Sequence, residues 1–155
     1  MKKISLTKRK FALVDDEDYE WLSKYKWHCK ESKSTKRVKK VYYTAETWIN
    51  GKRVLMHRLI MNCPNEKVID HINGDTLDNQ KQNLRICTIK ENSRNRKHSH
   101  GRSKYKGVSW DSFTNKWKVR VGEVWIGRFK NEELAALAYD FYALKYFREF
   151  AGFNF

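Results

Sequence analysis

The first half of the chain contains several short stretches in which apolar and polar residues alternate. This period of two is typical of strands, because successive side chains of a strand point to opposite faces. We predict strands at residues 4–6, 11–14, 41–48 and 54–56. The pair Asn50-Gly51 predicts a tight hairpin turn between the last two strands.

The acidic residues 15–18 predict the start of a helix, since the helix dipole favours carboxylates there. Another short helix is predicted at residues 57–60, and we expect His57 to be a packed structural residue, with contact to a catalytic site as the alternative.

The middle of the chain predicts a strand, a loop, a second strand and a helix in succession. Residues 68–69 end the first strand, Asn73-Gly74-Asp75 opens the loop, and residues 84–87 form the second strand. Thr88 and Glu91 have the spacing of a capping box, in which each side chain satisfies a backbone donor of the other residue. A helix is therefore predicted to begin at this point.

Three further strands and a long helix are predicted after residue 104. The strands cover residues 105–110, 116–121 and 124–129. In the second of them, one face is apolar (Trp117, Val119, Val121) and the other is basic (Lys116, Lys118, Arg120). Asn131 is predicted to cap the helix. Its apolar residues recur at helical spacing: Leu134, Leu137, Ala138, Phe141 and Leu144. We expect this stripe to cover the apolar face of the sheet and to leave a basic, tryptophan-bearing face exposed.

The balance of charges indicates a polyanionic partner. The chain has 33 Lys and Arg residues against 18 Asp and Glu, a formal net charge of +15 at pH 7. Such a field attracts nucleic acid or an acidic membrane surface. A membrane surface is disfavoured, because no long apolar face accompanies a basic one. By contrast, six Trp, eight Tyr and eight Phe are interleaved with the basic residues and can stack on bases. Nucleic acid is therefore the expected partner.

Two further features concern the compartment. The chain has no apolar run of membrane-spanning length, and its basic start lacks the apolar core of a secretory signal. We therefore expect an intracellular protein, in a bacterial or phage-infected cytoplasm. Cys29, Cys63 and Cys87 are widely spaced and include no Cys-x-x-Cys pair, so they predict reduced structural thiols rather than a disulfide framework or a zinc knuckle.

The distribution of basic residues suggests a division into domains. Residues 93–104 include no acidic and no apolar side chain and cannot contribute to a core. We expect a basic linker at residues 97–103 between a domain of residues 1–96 and a domain of residues 104–155.

Basic residues near this linker are candidates for contact with a phosphate backbone. They are Arg94, Arg96 and Arg102. A second basic run, residues 33–40, is expected to form a solvated hairpin loop, with a supplementary phosphate contact as the alternative.

Asp70, His71 and Asn92 form a candidate catalytic group. We expect the order strand, loop, strand and helix to bring them onto one surface, where carboxylate and amide oxygens can hold Mg²⁺ beside an imidazole. Such an ion stabilises charge on a scissile phosphate, while a neutral histidine accepts a proton from the attacking water. Each residue also has a structural alternative: Asp70-His71 as a surface pair, Asn73-Gly74-Asp75 as a turn and Asn83 as a loop cap. Their joint spacing favours the catalytic interpretation.

Residues 54–96 resemble the HNH endonuclease family, and within it the phage homing endonucleases. The resemblance rests on Asp70-His71 followed by Asn-Gly-Asp, on Asn83-Leu84-Arg85 and on Asn92. It implies a ββα-metal catalytic unit at about residues 66–96. By position it assigns the general base to His71, metal ligation to Asp70 and Asn92, and orientation of the histidine loop to Asn83. The implied metal is Mg²⁺, with Mn²⁺ as a substitute.

Residues 104–155 resemble the APETALA and ethylene-response-factor DNA-binding domain of plants. The matching segments are Tyr105-Lys106-Gly107-Val108, Lys116-Trp117, Val124-Trp125-Ile126-Gly127, Ala138-Tyr139-Asp140 and Asn154-Phe155. This resemblance implies DNA-facing side chains at Lys106, Ser109, Asp111, Lys118, Arg120, Trp125 and Tyr139. Ser109 and Asp111 replace arginines that are usual in the plant domain, so the plant target sequence does not carry over.

These observations predict an α+β protein with a small mixed nuclease domain and a three-stranded antiparallel sheet packed on one helix. The expected function is metal-dependent, site-directed cleavage of double-stranded DNA by a homing-type endonuclease. One such centre attacks one strand at a time, so a monomer, the expected state, would nick. The alternatives are a DNA-binding regulator with an inactive nuclease unit and an RNA-binding protein or RNase.

Overall fold

The structure, a computed structural model, describes residues 1–33, 41–95 and 102–155. They form two compact units, Met1–Ile89 and Lys90–Phe155. The elements of the first unit are β1 (Lys2–Ser5), β2 (Phe11–Val14), α1 (Asp16–Leu22), β3 (His28–Lys33), β4 (Val41–Ile49), β5 (Lys52–Leu55), α2 (Met56–Ile60), β6 (Val68–His71) and β7 (Leu84–Cys87). After them come α3 (Ile89–Arg94), which begins at the boundary, β8 (Val108–Asp111), β9 (Lys116–Val121), β10 (Val124–Phe129) and α4 (Glu132–Phe147). Small sheets and few helices confirm the mixed α and β class.

The strands predicted for the first unit are present and belong to three small sheets. β1 pairs with β2, β4 lies between β3 and β5, and β6 pairs with β7, all antiparallel. Asn50 and Gly51 have φ angles of 51° and 73°. A type I′ hairpin turn has positive φ at both central positions, and β4 pairs with β5 across it, so the predicted hairpin is confirmed. The basic run at residues 34–40 lies outside the described residues.

One apolar cluster fills the core of the first unit. Its buried members are Ile4, Leu6, Ala12, Val14, Leu22, Trp27, Cys29, Ala45 and Met56. They come from β1, β2, β3 and β4, from helices α1 and α2, and from connecting segments. The N-terminal residues therefore build the same core as the elements that lead into the predicted catalytic hairpin.

The loop between β6 and β7 is attached to β2 by backbone hydrogen bonds. The amide of Leu13 donates to the carbonyl of Leu77 at 2.8 Å, and the amide of Asn79 donates to the carbonyl of Leu13 at 2.8 Å. Leu13 and Asp78 form an isolated parallel bridge. Just beyond, the Asp15 carboxylate accepts from the Lys81 amide at 2.8 Å and from Gln80 Nε2 at 3.3 Å. The long loop is thereby fixed to the N-terminal hairpin.

Among the helices of the described residues, none is both long and apolar enough to cross a membrane.

The second unit contains one antiparallel sheet in the order β10-β9-β8, with α4 packed against it. The Asn131 side chain accepts a hydrogen bond from the Leu134 amide at 2.9 Å, which confirms the predicted N-terminal cap of α4.

The face of α4 that packs on the sheet differs from the predicted one. Leu134, Leu137, Phe141 and Leu144 are 58%, 52%, 67% and 56% exposed. The buried residues of the helix are instead Ala135, Ala136, Tyr139 and Ala143. Small side chains on this face let the helix approach the sheet closely, above Val119 and Val121, which are 0% and 1% exposed. The prediction that the larger apolar residues cover the sheet was therefore wrong.

Gly107, which directly precedes β8, lies against Tyr139 of α4 and gives a test of this packing. Its φ is +72°, and a Cβ built there would overlap the Tyr139 ring and lie 2.5 Å from the Arg120 carbonyl oxygen. We expect Gly107→Ala to lower the free energy of unfolding by about 2–5 kcal/mol, the sum of left-handed strain and overpacking. Thermal and urea unfolding of the full chain measure this.

Gly122→Ala is the matched control. Gly122 also has a positive φ, +61°, but a Cβ built there would meet only the Phe147 ring, at 3.3 Å. We expect this variant to lose only about 1–2 kcal/mol, from backbone strain alone. Equal losses in the two variants would contradict the close contact between Gly107 and Tyr139.

Candidate active site

Two of the predicted catalytic residues, Asp70 and His71, end strand β6. In the β6–β7 pairing, Asp70 lies opposite Arg85 and His71 opposite Leu84. Asp70 and His71 are 5% and 6% exposed. Arg85 donates to Asp70 Oδ2 from Nε at 2.8 Å and from Nη2 at 2.5 Å. A buried carboxylate requires such a partner, because removing its charge from water is costly unless it is paired and hydrogen-bonded.

His71 is held between a polar and an aromatic neighbour. Its Nε2 lies 3.3 Å from Asn79 Oδ1, and the His57 ring meets the His71 ring edge to face, with centroids 5.2 Å apart. Burial lowers the pKa of His71, an effect that the Asn79 hydrogen bond and the carboxylates of Asp70, Asp75 and Asp78 oppose. His71 is therefore neutral at pH 7, the protonation state that a general base requires.

Asn83 connects both ends of the loop that follows His71. Its Oδ1 accepts from the Asn73 amide at 3.0 Å, its Nδ2 donates to the Asp78 carbonyl at 2.8 Å, and its own carbonyl accepts from the Ile72 amide at 2.9 Å. Asn83 is 7% exposed, so these bonds take the place of water. The side chain thus fixes the shape of the loop.

The turn after His71 has its own internal hydrogen bonds. Asn73 Oδ1 accepts from the Asp75 amide at 2.8 Å, and Asp75 Oδ1 accepts from the Leu77 amide at 3.0 Å. Gly74, between them, has a φ of +76°, which is a conformation that glycine adopts without strain. The predicted turn at Asn73-Gly74-Asp75 is confirmed.

Asn92 and the predicted phosphate contacts lie in the second unit. Asn92 is half-buried on α3. The Arg94 guanidinium lies over the Phe147 ring at 4.2 Å, and the Arg102 guanidinium lies over the Trp110 ring at 5.0 Å. Arg96 lies outside the described residues.

The predicted DNA-facing residues of the sheet separate into exposed and buried groups. Ser109, Arg120 and Trp125 are exposed and Lys118 is half-buried. The register places Ser109 beside Lys118, Lys118 beside Arg128, and Arg120 beside Trp125. These residues therefore form rows on one face of the sheet.

Lys106 is half-buried and Tyr139 is buried. The Lys106 ammonium donates to the carbonyl of Arg94, and burial lowers its pKa. Tyr139 is 3% exposed, and burial raises its pKa to about 12. A side chain with so little accessible surface offers DNA no contact area in this structure.

Arg128 is a feature of the exposed face that the sequence analysis missed. Its Nε lies 2.9 Å from Asp111 Oδ2, and its guanidinium lies over the Trp125 ring at 4.9 Å. The pair with Arg128 lowers the pKa of Asp111. Asp111, on β8, thereby positions an arginine of strand β10.

The oxygen atoms of Asp70 and Asn92 are the candidate donors for a metal ion. Among the described residues, no group of three or more His, Cys, Asp or Glu side chains is arranged to hold one. Mg²⁺, however, uses one or two carboxylates and completes its shell with water and substrate phosphate oxygens. The hard oxygens of Asp70 and Asn92 are of the kind that this ion prefers, so the donor chemistry fits it.

Two residues of the first unit were given no role by the sequence analysis: Asn79 and Arg85, which contact His71 and Asp70 directly. His57 packs on the His71 ring, so the alternative stated for it, contact with the candidate site, agrees with the structure. For Arg85 a signal existed, since cross-strand pairing would have placed it opposite Asp70. For Asn79 none existed, because nothing local distinguishes it from other loop asparagines.

Comparisons with known proteins agree with the motif. A family model described as HNH endonuclease matches residues 54–94. The chain is 32% identical over 154 residues to an uncharacterized HNH endonuclease of Acanthamoeba polyphaga mimivirus, a match that covers 93% of this chain and 74% of the relative. No solved structure matches the chain significantly.

The contact between buried His71 and half-buried His57 predicts a pH effect on stability. Burial, followed by repulsion from His71 and Arg58, lowers the pKa of His57 to about 3, against about 6.5 for an unperturbed histidine. Below pH 6.5 the unfolded chain binds a proton that the folded chain does not, so stability falls as the pH drops, by up to about 1.4 kcal/mol per pH unit.

His57→Phe keeps a ring in place and removes this titrating group. We expect the loss of stability between about pH 6.5 and 5 to become shallower by up to the same amount per pH unit, as measured by urea unfolding. An unchanged slope would contradict a buried, neutral His57.

Proposed function

The chain belongs to the HNH endonuclease family, and on that premise we propose that it cuts double-stranded DNA at a directed site with the help of a divalent metal ion. It is a nuclease by family. The observation that carries the more specific proposal is the arrangement at the end of β6, where the neutral, buried His71 follows an ion-paired Asp70. One hairpin thus supplies both a base and a carboxylate.

In this proposal, His71 accepts a proton from the water that attacks the scissile phosphorus. A positioned base of this kind requires a fixed ring, and contacts with Asn79 and His57 provide it. Asp70 and Asn92 would hold Mg²⁺, which when bound stabilises negative charge on the phosphate. The succession β6, β7 and α3 supports this assignment, since it is the order of elements in a ββα-metal unit.

Arg85 has a role in this proposal as the partner of Asp70. Its guanidinium places two donors on a single carboxylate oxygen. Such a charge-assisted pair fixes the carboxylate before any cation arrives. Arg85 therefore keeps Asp70 oriented inside a buried site.

The second unit is proposed to bind the flanking DNA, in a manner similar to the plant DNA-binding domain. The support is the exposed face that carries Lys118, Arg120, Trp125 and Arg128. An antiparallel sheet face of this composition fits a major groove, with basic groups on phosphates or guanines. We leave Lys106 and Tyr139 out of this surface, because the Lys106 ammonium donates to the Arg94 carbonyl and Tyr139 is buried. A homing-type enzyme that acts as a monomer and nicks one strand is the form we propose.

The first test removes the base. We expect His71→Ala to slow the cleavage of supercoiled plasmid in Mg²⁺ by about 10²–10⁴-fold, the factor that general-base catalysis supplies. DNA affinity, measured by fluorescence anisotropy without metal, should stay the same. Cleavage at the wild-type rate would remove His71 from the mechanism. If the wild-type chain itself binds DNA and cuts none with Mg²⁺ or Mn²⁺, it is a DNA-binding regulator.

The second test concerns the sheet face. Loss of one phosphate contact lowers the slope of log affinity against log salt by about 0.9. We expect a decrease of this size for Lys118→Ala and for Arg128→Ala in binding to duplex DNA. Lys145→Ala is the control, because this exposed lysine lies on α4 rather than on the sheet. Equal slopes in all four proteins would show that this face makes no phosphate contact.

A further inference from the structure

Asn79, in the β6–β7 loop, lies within hydrogen-bond distance of the His71 ring. It is 0% exposed. Its backbone amide donates to the Leu13 carbonyl at 2.8 Å, its Nδ2 donates to the Leu77 carbonyl at 3.2 Å, and its Oδ1 lies 3.3 Å from His71 Nε2. Both ends of the amide group are thus engaged without water.

These partners determine which way the amide faces. The oxygen and nitrogen of an asparagine amide have nearly the same shape, but only the nitrogen donates. The Leu77 carbonyl is solely an acceptor, so it must face Nδ2. Oδ1 is therefore the atom that faces His71.

An acceptor at this position determines the tautomer of His71. A hydrogen bond between Oδ1 and Nε2 requires a proton on Nε2. In a neutral imidazole the other nitrogen, Nδ1, then carries the lone pair. The hydrogen bond of one ring nitrogen thus decides which nitrogen can accept a proton.

We propose that Asn79 is a positioning residue that holds His71 as the Nε2–H tautomer and thereby makes Nδ1 the atom that accepts the proton from water. The catalytic part of this inference rests on the proposed function of His71 as a base. The tautomer itself follows from hydrogen-bond chemistry and stands independently of any cleavage.

The anchor of Asn79 comes from outside the segment that matches the family model. Leu13, in β2, binds the loop on both sides of Asp78, since its amide donates to Leu77 and its carbonyl accepts from Asn79. The family model matches residues 54–94. The N-terminal hairpin therefore has a function in the candidate site, namely to hold the residue that orients the base.

His57 also contacts His71, but in a different way. Its ring packs edge to face, with an angle of 88° between the planes. Packing of this kind restricts the rotation of the His71 ring. The amide of Asn79, by contrast, distinguishes one ring nitrogen from the other.

The tautomer can be read directly from nitrogen chemical shifts. The full-length chain, labelled with ¹⁵N-histidine and free of metal and DNA, would be studied by long-range ¹H–¹⁵N correlation at a pH above 7. The signals that disappear in His71→Gln identify His71. We expect a protonated-type shift for Nε2 and an unprotonated-type shift for Nδ1. The reverse assignment in the wild-type chain would overturn the proposal without any variant of Asn79.

Two variants test whether Asn79 is the cause. Asn79→Leu has a similar volume and removes the acceptor, so the two ¹⁵N shifts should move toward each other as the tautomers mix. Asn79→Asp keeps an acceptor and should retain the wild-type tautomer. If the leucine variant folds and leaves both shifts unchanged, Asn79 does not select the tautomer. If it does not fold, the aspartate variant decides, at a pH at which its His71 is neutral: a neutral ring with the proton on Nδ1 overturns the proposal.

Cleavage kinetics then separate the inference from the proposed function. We expect Asn79→Leu to lower kcat by about 10–100-fold, since a displaced base loses a factor of this order, and to leave KM for DNA unchanged. A mixed tautomer with an unchanged kcat would overturn the positioning role alone. A wild-type chain with the Nε2–H tautomer that cuts no DNA would contradict the proposed function and leave the tautomer assignment in place.

Discussion

The attachment of the β6–β7 loop to strand β2 is the contact on which the candidate site depends. Both backbone groups of Leu13 form hydrogen bonds with this loop. The Asp15 carboxylate accepts hydrogen bonds from Gln80 and Lys81, the two residues that follow Asn79. A loop of this length would otherwise be free to adopt many conformations, each at a similar free energy. Because the attachment fixes Asn79, it also fixes the partner of the His71 ring. The geometry of the candidate catalytic hairpin therefore depends on residues of the N-terminal hairpin.

Burial and pairing together set the electrostatics of the site. Asp70 and His71 are almost inaccessible to solvent, and burial favours the neutral form of an imidazole but penalises a carboxylate. Arg85 compensates the carboxylate, whereas His71 and His57 remain neutral. Burial thus keeps His71 neutral, whereas the adjacent Asp70 needs a cationic partner. It leaves one ion-paired carboxylate and one neutral imidazole in a single hairpin, as the proposed mechanism requires.

The second unit shows how a charged face and a packed face can share one small sheet. The face of α4 that packs on the sheet carries mostly alanines, so the helix lies close to β9. The basic residues of β9 lie on the opposite face of the sheet. On that face, Arg128 is restrained by Asp111 and by Trp125. An arginine held in this manner loses less conformational entropy when it binds an anion than a freely rotating one does. The unit therefore combines close packing with a restrained basic surface.

The sequence by itself determined the local elements, the nuclease motif and the basic character of the chain. Alternation predicted the strands, Asn50-Gly51 predicted the β4–β5 hairpin, and the spacing of Asp70, His71 and Asn83 predicted the family, because all of these are properties of neighbouring residues. It did not determine which side of α4 is buried, since that helix carries large apolar residues on one face and small ones on another, and only the fit to the sheet decides between them. Nor did it assign the partners of the catalytic residues. Leu13 and Asn79 lie 66 residues apart by number, so only the folded chain brings them together, and the orientation of His71 is a consequence of that tertiary contact.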